Sequence, residues 1–238
     1  MTESTPNVVL NVQALSGHYG ETKALHHIQL EVNEGEIVCL LGRNGAGKTT
    51  TLRAIMGLLS RREGLIEIHG QSTAGMPPET IAHLGVAYCP EERGIFSSLS
   101  TEENLLLPPI LKPGGLSIKE IYDLFPNLLA RRTSQGSKLS GGEQQMLAIA
   151  RILRTGAKLL LLDECTEGLA PVIVERIGQV ISLLRSRGFT VLMVEQNFRF
   201  ASRFADRFYV IEEGQVVETF HQQDIAGNRD RIERLLGL

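Results

Sequence analysis

Two glycine-rich segments of the chain have the residue types and spacing that bind phosphate groups. The first, GRNGAGKT (Gly42 to Thr49), fits the pattern G-x-x-x-x-G-K-[ST] in full and lies between the apolar strand GEIVCLLG and the helical run KTTTLRAIMGLL. Backbone N–H groups of such a loop wrap phosphate oxygens, and the helix N-terminus adds its positive end. We expect Lys48 to reach the β- and γ-phosphates of a nucleotide and the Thr49 hydroxyl to hold Mg²⁺. The residues predicted to bind the nucleotide here are Gly42, Arg43, Asn44, Gly45, Ala46, Gly47, Lys48, Thr49 and Thr50.

A buried strand further along the chain ends in two carboxylates. The segment LLLLDE, Leu159 to Glu164, has four apolar residues followed by Asp163 and Glu164. In parallel α/β sheets, ligands bind at the carboxyl ends of the strands. We therefore expect Asp163 to hold Mg²⁺, directly or through water, and Glu164 to be the base or to orient the attacking water. Lys48 is predicted to be catalytic as well, because phosphoryl transfer depends on positioning and charge neutralisation.

The second glycine-rich segment, LSGGEQQ (the signature segment, Leu139 to Gln145), begins the predicted helix LSGGEQQMLAIARILR. Its glycines at a helix start offer N–H donors for another phosphate group. One nucleotide that the first loop already holds needs no second set of donors from the same chain. The sequence therefore predicts two chains that face each other head-to-tail and close on two ATP molecules. The residues of this segment predicted to contact the other chain's nucleotide are Ser140, Gly141, Gly142 and Glu143.

The elements that must position these motifs alternate in type along the chain. Residues 8–90 are rich in strand patterns and contain the helix after the first loop. Residues 91–132 contain helical runs broken by PPILKPGG and no strand pattern, and the helix of the signature segment follows. From residue 155 onward, apolar strands alternate with helices, and a terminal helix is predicted near RDRIERLLGL (229–238). This order predicts an α/β protein with a mainly parallel central sheet that is covered on both faces.

Composition limits the classes of protein that this chain can represent. Among 238 residues, 42% are hydrophobic and 21% are charged, which is ordinary for a folded globular protein. A net charge of −3 gives no general attraction to nucleic acid. The three cysteines are far apart, so we expect a reducing compartment and no disulfide framework. We also expect no transmembrane segment, and no signal peptide in MTESTPN.

The loop Gly42–Thr49, the signature segment and LLLLDE, in this order, resemble the ATP-binding subunit of an ABC transporter. The resemblance runs from Val8 to about Phe220. It implies the P-loop NTPase fold of ABC ATPases, with an N-terminal antiparallel β subdomain and a helical insertion. It implies one domain at 8–238, with a core at 8–90 and 155–238 and a helical subdomain at 91–154. It also implies that Tyr19 stacks on the adenine.

Finer features resemble the paired ATPases of branched-chain amino-acid uptake systems. These features are CPEERGIFSSLSTEENL, GLAP, VEQN and PNLLARR. Glu91 takes the place of a glutamine common in the family and is implied to bind the metal. Gln196 takes the place of the switch histidine, where it can donate to the γ-phosphate but cannot become cationic. Cys165 replaces a common proline, and Ala170 stands where many relatives have an aspartate that reaches across the dimer.

This resemblance implies an ATP-hydrolysing subunit that energises a membrane importer from the cytoplasmic face, as a peripheral protein. The implied partners are transmembrane permease subunits, a second ATPase subunit (a copy or a relative) and, indirectly, a solute-binding protein. Branched-chain amino acids are the first candidate substrate, and urea, amides and aromatic acids are further ones. The alternative is an ABC ATPase acting on ribosomes or DNA. Such relatives usually fuse two ATPase domains or contain a long coiled coil, whereas this chain has one motif set and no sustained heptads.

Overall fold

A computed structural model describes residues 7–237 of the chain. Its strands are β1 Val8–Tyr19, β2 Thr22–Asn33, β3 Ile37–Leu41, β4 Arg61–Ile68, β5 Gln71–Ser72, β6 Val86–Cys89, β7 Leu159–Asp163, β8 Thr190–Val194, β9 Arg207–Glu212 and β10 Gln215–His221. Its α-helices are α1 Lys48–Ile55, α2 Pro78–His83, α3 Thr101–Leu106, α4 Ile118–Leu124, α5 Pro126–Ala130, α6 Gly141–Leu153, α7 Pro171–Ser186, α8 Phe198–Ala201 and α9 Ile225–Leu236.

The strands form two sheets within residues 7–237. The larger sheet has the order β10-β9-β3-β8-β7-β6, and all of its pairings are parallel except that of β10 with β9. Every residue of β3, β7 and β8 is buried, as an all-apolar strand covered on both faces requires. The smaller sheet, β2-β1-β4-β5, is antiparallel and comes from the N-terminal part of the chain. The predicted α/β class with both sheets is confirmed.

Two hydrophobic cores lie on opposite faces of the larger sheet. Side chains of a strand alternate between faces, so Cys39 and Leu41 of β3 belong to a core that the helices α4, α6 and α7 also line. Val38 and Leu40 belong to the other core, together with β1, β2 and α1. The end of β3 is thus fixed from both sides. All three cysteines of the chain are buried and unpaired.

Residues 91–154 contain four α-helices, and local capping residues specify the starts of three of them. Ser100, Ser117 and Ser140 each precede a helix and accept a hydrogen bond from the backbone N–H three residues later. A glutamate at that third position bonds back to the serine N–H, which completes a capping box at α3, α4 and α6. Between residues 91 and 154 the structure has no named strand, as the sequence predicted.

Three boundary predictions were wrong, and none changes an element's type. The helix after the first loop was predicted to reach Leu59 but ends at Ile55, because Gly57 has a left-handed φ of 71°. The helix of the signature segment begins at Gly141 rather than at Leu139, since Ser140 is its cap. The terminal helix was predicted near 229–238 but begins at Ile225.

Some predictions concern the ends of the chain. The prediction of no signal peptide rests mainly on residues 1–6, which lie outside the described residues, as does residue 238 of the predicted terminal helix. No helix within residues 7–237 combines the length and apolarity that crossing a bilayer requires.

Candidate active site

The loop Gly42–Thr49 (the phosphate loop) joins the centre of the larger sheet to helix α1. Gly42 has a φ of 151°, and a Cβ at this position would lie 2.3 Å from the backbone oxygen of Ile211. Gly47 caps α1 with a left-handed φ of 110°. Both positions need glycine, because L side chains rarely adopt such conformations. The loop therefore brings its backbone, and the free N–H groups at the start of α1, close to any ligand above it.

Lys48 is almost fully buried and its ammonium group is directed along the loop. Its Nζ donates to the backbone oxygens of Gly42 (2.9 Å) and Arg43 (3.0 Å). The same nitrogen lies 3.5 Å from Glu164 Oε1. Burial raises the pKa of Glu164, but hydrogen bonds from Glu167 and Gln196 and the charge of Lys48 outweigh it and keep this pKa below its ordinary value. Glu164 is thus held as a carboxylate next to the predicted phosphate position.

Asp163 is fully buried at the end of β7, and both of its carboxylate oxygens accept hydrogen bonds. Thr49 Oγ1 donates to Oδ1 over 2.9 Å, and the Tyr88 hydroxyl donates to Oδ2 over 2.8 Å. Burial raises the pKa of Asp163, while the bonds from Tyr88 and Thr49 oppose the increase. The sequence predicted Asp163 and Thr49 as neighbours. It did not predict Tyr88, although Tyr88 lies in the strand next to β7 and three residues before Glu91.

Three glutamates form an acidic group beside Lys48. Glu91, Glu164 and Glu167 place carboxylate oxygens within 4.8 Å of one another. The pKa of Glu167 is raised to about 7, mainly by its hydrogen bond with Glu164. Burial, followed by the charges of Glu164 and Asp163, raises the pKa of Glu91. Glu167 was not predicted, because it lies just before the motif GLAP, which begins at Gly168.

The predicted ligands have the donor chemistry that Mg²⁺ prefers. A hydroxyl from Thr49 and carboxylates from Asp163 and Glu91 are hard oxygen donors, and Mg²⁺ binds few side chains directly and keeps several waters. Burial is the main cause of the raised pKa values of Asp163 and Glu91, and neighbouring carboxylate charges raise both further. A bound cation would favour the charged form of both groups. The residues present therefore fit a magnesium ion bound together with nucleotide phosphates.

Gln196 follows β8 and lies in the same cavity. Its Nε2 donates to Glu164 Oε2 over 2.7 Å. The cavity has a volume of about 290 Å³. Its lining residues are Asn44, Gly45, Gly47, Lys48, Thr49, Thr50, Glu91, Glu164, Glu167 and Gln196. The fold thus brings the phosphate loop together with three other predicted residues, namely Glu91, Glu164 and Gln196.

Gly42, Arg43, Ala46 and Asp163 are outside the cavity lining but bond to, or directly adjoin, residues that line it. Two further groups of predicted residues within 7–237 also lie outside the lining. Tyr19 ends β1 at the hairpin to β2 and is 44% exposed. Ser140 and Glu143 line a separate cavity of about 470 Å³ at the start of α6. Gly142 packs so closely that a Cβ there would lie 2.8 Å from Ile173 Cγ1. Within one chain, the signature segment is therefore apart from the phosphate loop.

The Glu143 side chain has a local structural task. Its Oε2 accepts a 2.8 Å hydrogen bond from the Ser140 N–H, while its own N–H donates to Ser140 Oγ over 3.3 Å. This bonding fixes the Ser140 hydroxyl at the start of α6, where Ser140 and Gly141 are exposed and Gly142 is buried. Ser140 and Gly141 are therefore the exposed residues of this helix start.

A phosphate loop after the central strand β3, with two carboxylates at the end of β7 on the far side of β8, defines a P-loop nucleotide hydrolase. The ABC transporter family matches residues 25–167, and the chain belongs to this family.

A branched-chain amino acid transport ATP-binding protein of Pseudomonas aeruginosa, BraG, is 42% identical over 88% of this chain and 91% of its own length. A lipopolysaccharide export ATP-binding protein of Haemophilus influenzae, LptB, is 34% identical over 95% and 96%. A solved structure of an ABC transporter ATP-binding subunit has a TM-score of 0.81 at 30% identity, covering 97% of this chain and all of the other. The chain is accordingly an ATP-hydrolysing subunit of the ABC transporter type.

Proposed function

We propose that the chain energises an importer of branched-chain amino acids or of similar small solutes such as urea, amides and aromatic acids. The observation that carries this proposal is the 42% identity to BraG over most of both chains. The LptB relative, which serves export, is less similar at 34%. In this proposal a solute-binding protein delivers the solute to permease subunits, and the chain is a peripheral protein on the cytoplasmic side of the membrane.

The side chains of the cavity have distinct proposed roles in hydrolysis. Lys48 neutralises charge on the β- and γ-phosphates, and the backbone of the phosphate loop orients them. Thr49, Asp163 and Glu91 hold Mg²⁺, which neutralises phosphate charge when bound. Glu164 accepts a proton from the attacking water or orients it, and its lowered pKa keeps it ready to accept. Gln196 donates a hydrogen bond to the γ-phosphate, and Tyr19 stacks on the adenine.

The signature segment is proposed to complete the nucleotide site of a second chain. Two features support this proposal: Ser140 and Gly141 are exposed at the start of α6, and the segment lies outside the cavity around Lys48. A head-to-tail pair would place one chain's Ser140, Gly141, Gly142 and Glu143 against the other chain's ATP. Light scattering of the Glu164→Gln variant with Mg²⁺ and ATP tests self-pairing, because slow hydrolysis traps the closed pair. A doubled mass that Ser140→Arg abolishes is expected, whereas a monomer that binds ATP requires a different ATPase partner.

Residues 91–154 are proposed to form a helical subdomain that contacts the permease. A groove of about 390 Å³ lies between this subdomain and strand β6, and it is mostly apolar. Its lining residues include Tyr88, Cys89, Pro90, Arg93, Pro108 and Leu111. Beside it, the large apolar side chains Leu106, Leu107 and Ile110 are at least half exposed. Exposed apolar surface next to a groove is typical of a protein interaction site. The remaining core, 8–90 and 155–238, holds the nucleotide.

Reconstitution tests the transport proposal. The chain, its permeases and its solute-binding protein are placed in proteoliposomes, and ATP hydrolysis is measured with leucine, urea, an amide or an aromatic acid. One of these solutes is expected to stimulate hydrolysis and to accumulate in the lumen, with none doing so for Glu164→Gln. Stimulation by lipopolysaccharide with none of the small solutes active would contradict import.

A further inference from the structure

A buried carboxylate outside the phosphate-loop cavity links the segments that carry Glu164 and Gln196. Glu195 directly follows β8 and is only 2% exposed. The Thr166 hydroxyl donates to its Oε2 over 2.7 Å, and the Cys165 thiol donates to its Oε1 over 3.6 Å. Each carboxylate oxygen thus accepts one hydrogen bond from the segment that follows β7.

Residues adjacent to these contacts are also hydrogen-bonded between the two segments. Gln196 donates to Glu164 over 2.7 Å, and the Glu164 N–H donates to the Val194 backbone oxygen over 3.0 Å. Glu164 has a left-handed φ of 45°, which is costly for a residue with a side chain. Such a conformation persists only where surrounding contacts determine it. The bonds from Thr166 and Cys165 to Glu195 are the next contacts along the same segment.

Cys165 is fully buried beside Glu195, and its thiol is a weak hydrogen-bond donor. The proline common at this position in the family has no side-chain donor. Burial raises the pKa of Glu195 to about 7, and the bonds from Thr166 and Cys165 lower it. A buried carboxylate without such donors is costly, so these contacts restrict where the segment can lie.

We propose that Glu195 is a positioning residue for ATP hydrolysis, which acts through Thr166 and Cys165 to hold Glu164 and Gln196 in place. This inference rests on the catalytic roles proposed above for Glu164 and Gln196. Glu195 itself does not line the cavity around Lys48. Its loss should therefore slow hydrolysis and leave ATP binding intact.

The decisive variant is Thr166→Val, which removes the hydroxyl and keeps the side-chain shape. We expect kcat to decrease at least tenfold, with the Kd for ATP within twofold of wild type and Thr166→Ser restoring most of kcat. The matched control is Thr190→Val at the opposite end of β8. Thr190 is also buried and accepts a 2.9 Å hydrogen bond from the Gly35 N–H. This control should lower the Tm without changing kcat.

Two further variants keep the outcome decisive. Glu195→Met has a similar length but no oxygen to accept from Thr166, so it reports on the contact if Thr166→Val does not fold, and its kcat should also decrease at least tenfold. Combining it with Thr166→Val should add little further loss, because both remove one contact. Wild-type kcat in Thr166→Val and Glu195→Met, with Glu164→Gln inactive, would refute the positioning role alone. Full activity in Glu164→Gln would instead refute the proposed catalytic assignment.

Discussion

Replacing Tyr88 by phenylalanine tests the bonding of Asp163 directly. The change removes only the hydroxyl that donates to Asp163 Oδ2 over 2.8 Å. Burial, with the Asp163 charge, raises the pKa of Tyr88 above its ordinary value, so the tyrosine remains the donor throughout the usual pH range. Asp163 is fully buried and cannot replace the lost donor with bulk water.

The expected loss follows from the cost of a hydrogen bond to a charged, buried group. Such a bond contributes about 1.5–3 kcal/mol to the free energy of unfolding. For a chain of this size, 1 kcal/mol corresponds to roughly 2–4 °C in Tm, so Tyr88→Phe should lower the Tm by roughly 3–12 °C. Thermal and urea-induced unfolding without nucleotide measure this loss.

A second tyrosine supplies the control for this experiment. The Tyr122 hydroxyl is also buried, and it has no hydrogen-bond partner among residues 7–237. Tyr122→Phe should therefore be neutral or slightly stabilising, because no bond is lost. If Tyr88→Phe unfolds within about 0.5 kcal/mol of wild type, or behaves like Tyr122→Phe, Tyr88 does not hold Asp163 and the reasoning is wrong.

Three further predictions concern the phosphate loop, the metal and the buried Glu195. Gly42→Ala should abolish ATP binding and lower the free energy of unfolding by about 1–3 kcal/mol, because a Cβ would lie 2.3 Å from the Ile211 backbone oxygen. Calorimetric titration measures the binding, and urea unfolding measures the stability. Thr49→Val should lose Mg²⁺-dependent hydrolysis while Thr49→Ser retains it, and chelating Mg²⁺ should reduce wild-type hydrolysis to the valine level. Glu195 has a pKa of about 7 in the folded chain, against an ordinary value of 4.5, so the folded state binds its proton more tightly than the unfolded state does. The protonated group therefore stabilises the fold fully below pH 4.5, and this stabilisation is lost as the pH rises through 7. Glu195→Gln should therefore reduce the fall in the free energy of unfolding between pH 4.5 and 7 by up to about 3 kcal/mol. If urea unfolding shows the same pH dependence in Glu195→Gln as in wild type, this prediction is wrong.

The sequence predicted the parts of the site that depend on local chain geometry. Gly42–Thr49 is a continuous loop between a strand and a helix, so its pattern alone specifies its conformation. Asp163 and Glu164 were predictable for the same reason, because they end an apolar run. The capping box of Ser140 and Glu143 also lies within four consecutive residues, and it is compatible with the prediction that these residues contact a nucleotide.

The contacts that the sequence did not predict join residues far apart along the chain. Tyr88 and Asp163 are 75 residues apart, and Thr166 and Glu195 are 29 apart. Their meeting depends on β6 pairing with β7 and β7 with β8 in one register, and a shift by one residue would turn these side chains to the other face. Strand order and register are properties of the whole sheet, and no short pattern encodes them.

The burial of all three cysteines makes the chain suitable for site-specific thiol labelling. Burial raises the pKa of Cys39 and Cys165 well above the ordinary value and that of Cys89 to about 12, so few thiolates are present to react. A cysteine introduced at an exposed position is then the one that reacts with a maleimide dye or a spin label. Distances between labelled chains can therefore be followed through an ATP cycle without removing Cys165, the thiol that contacts Glu195.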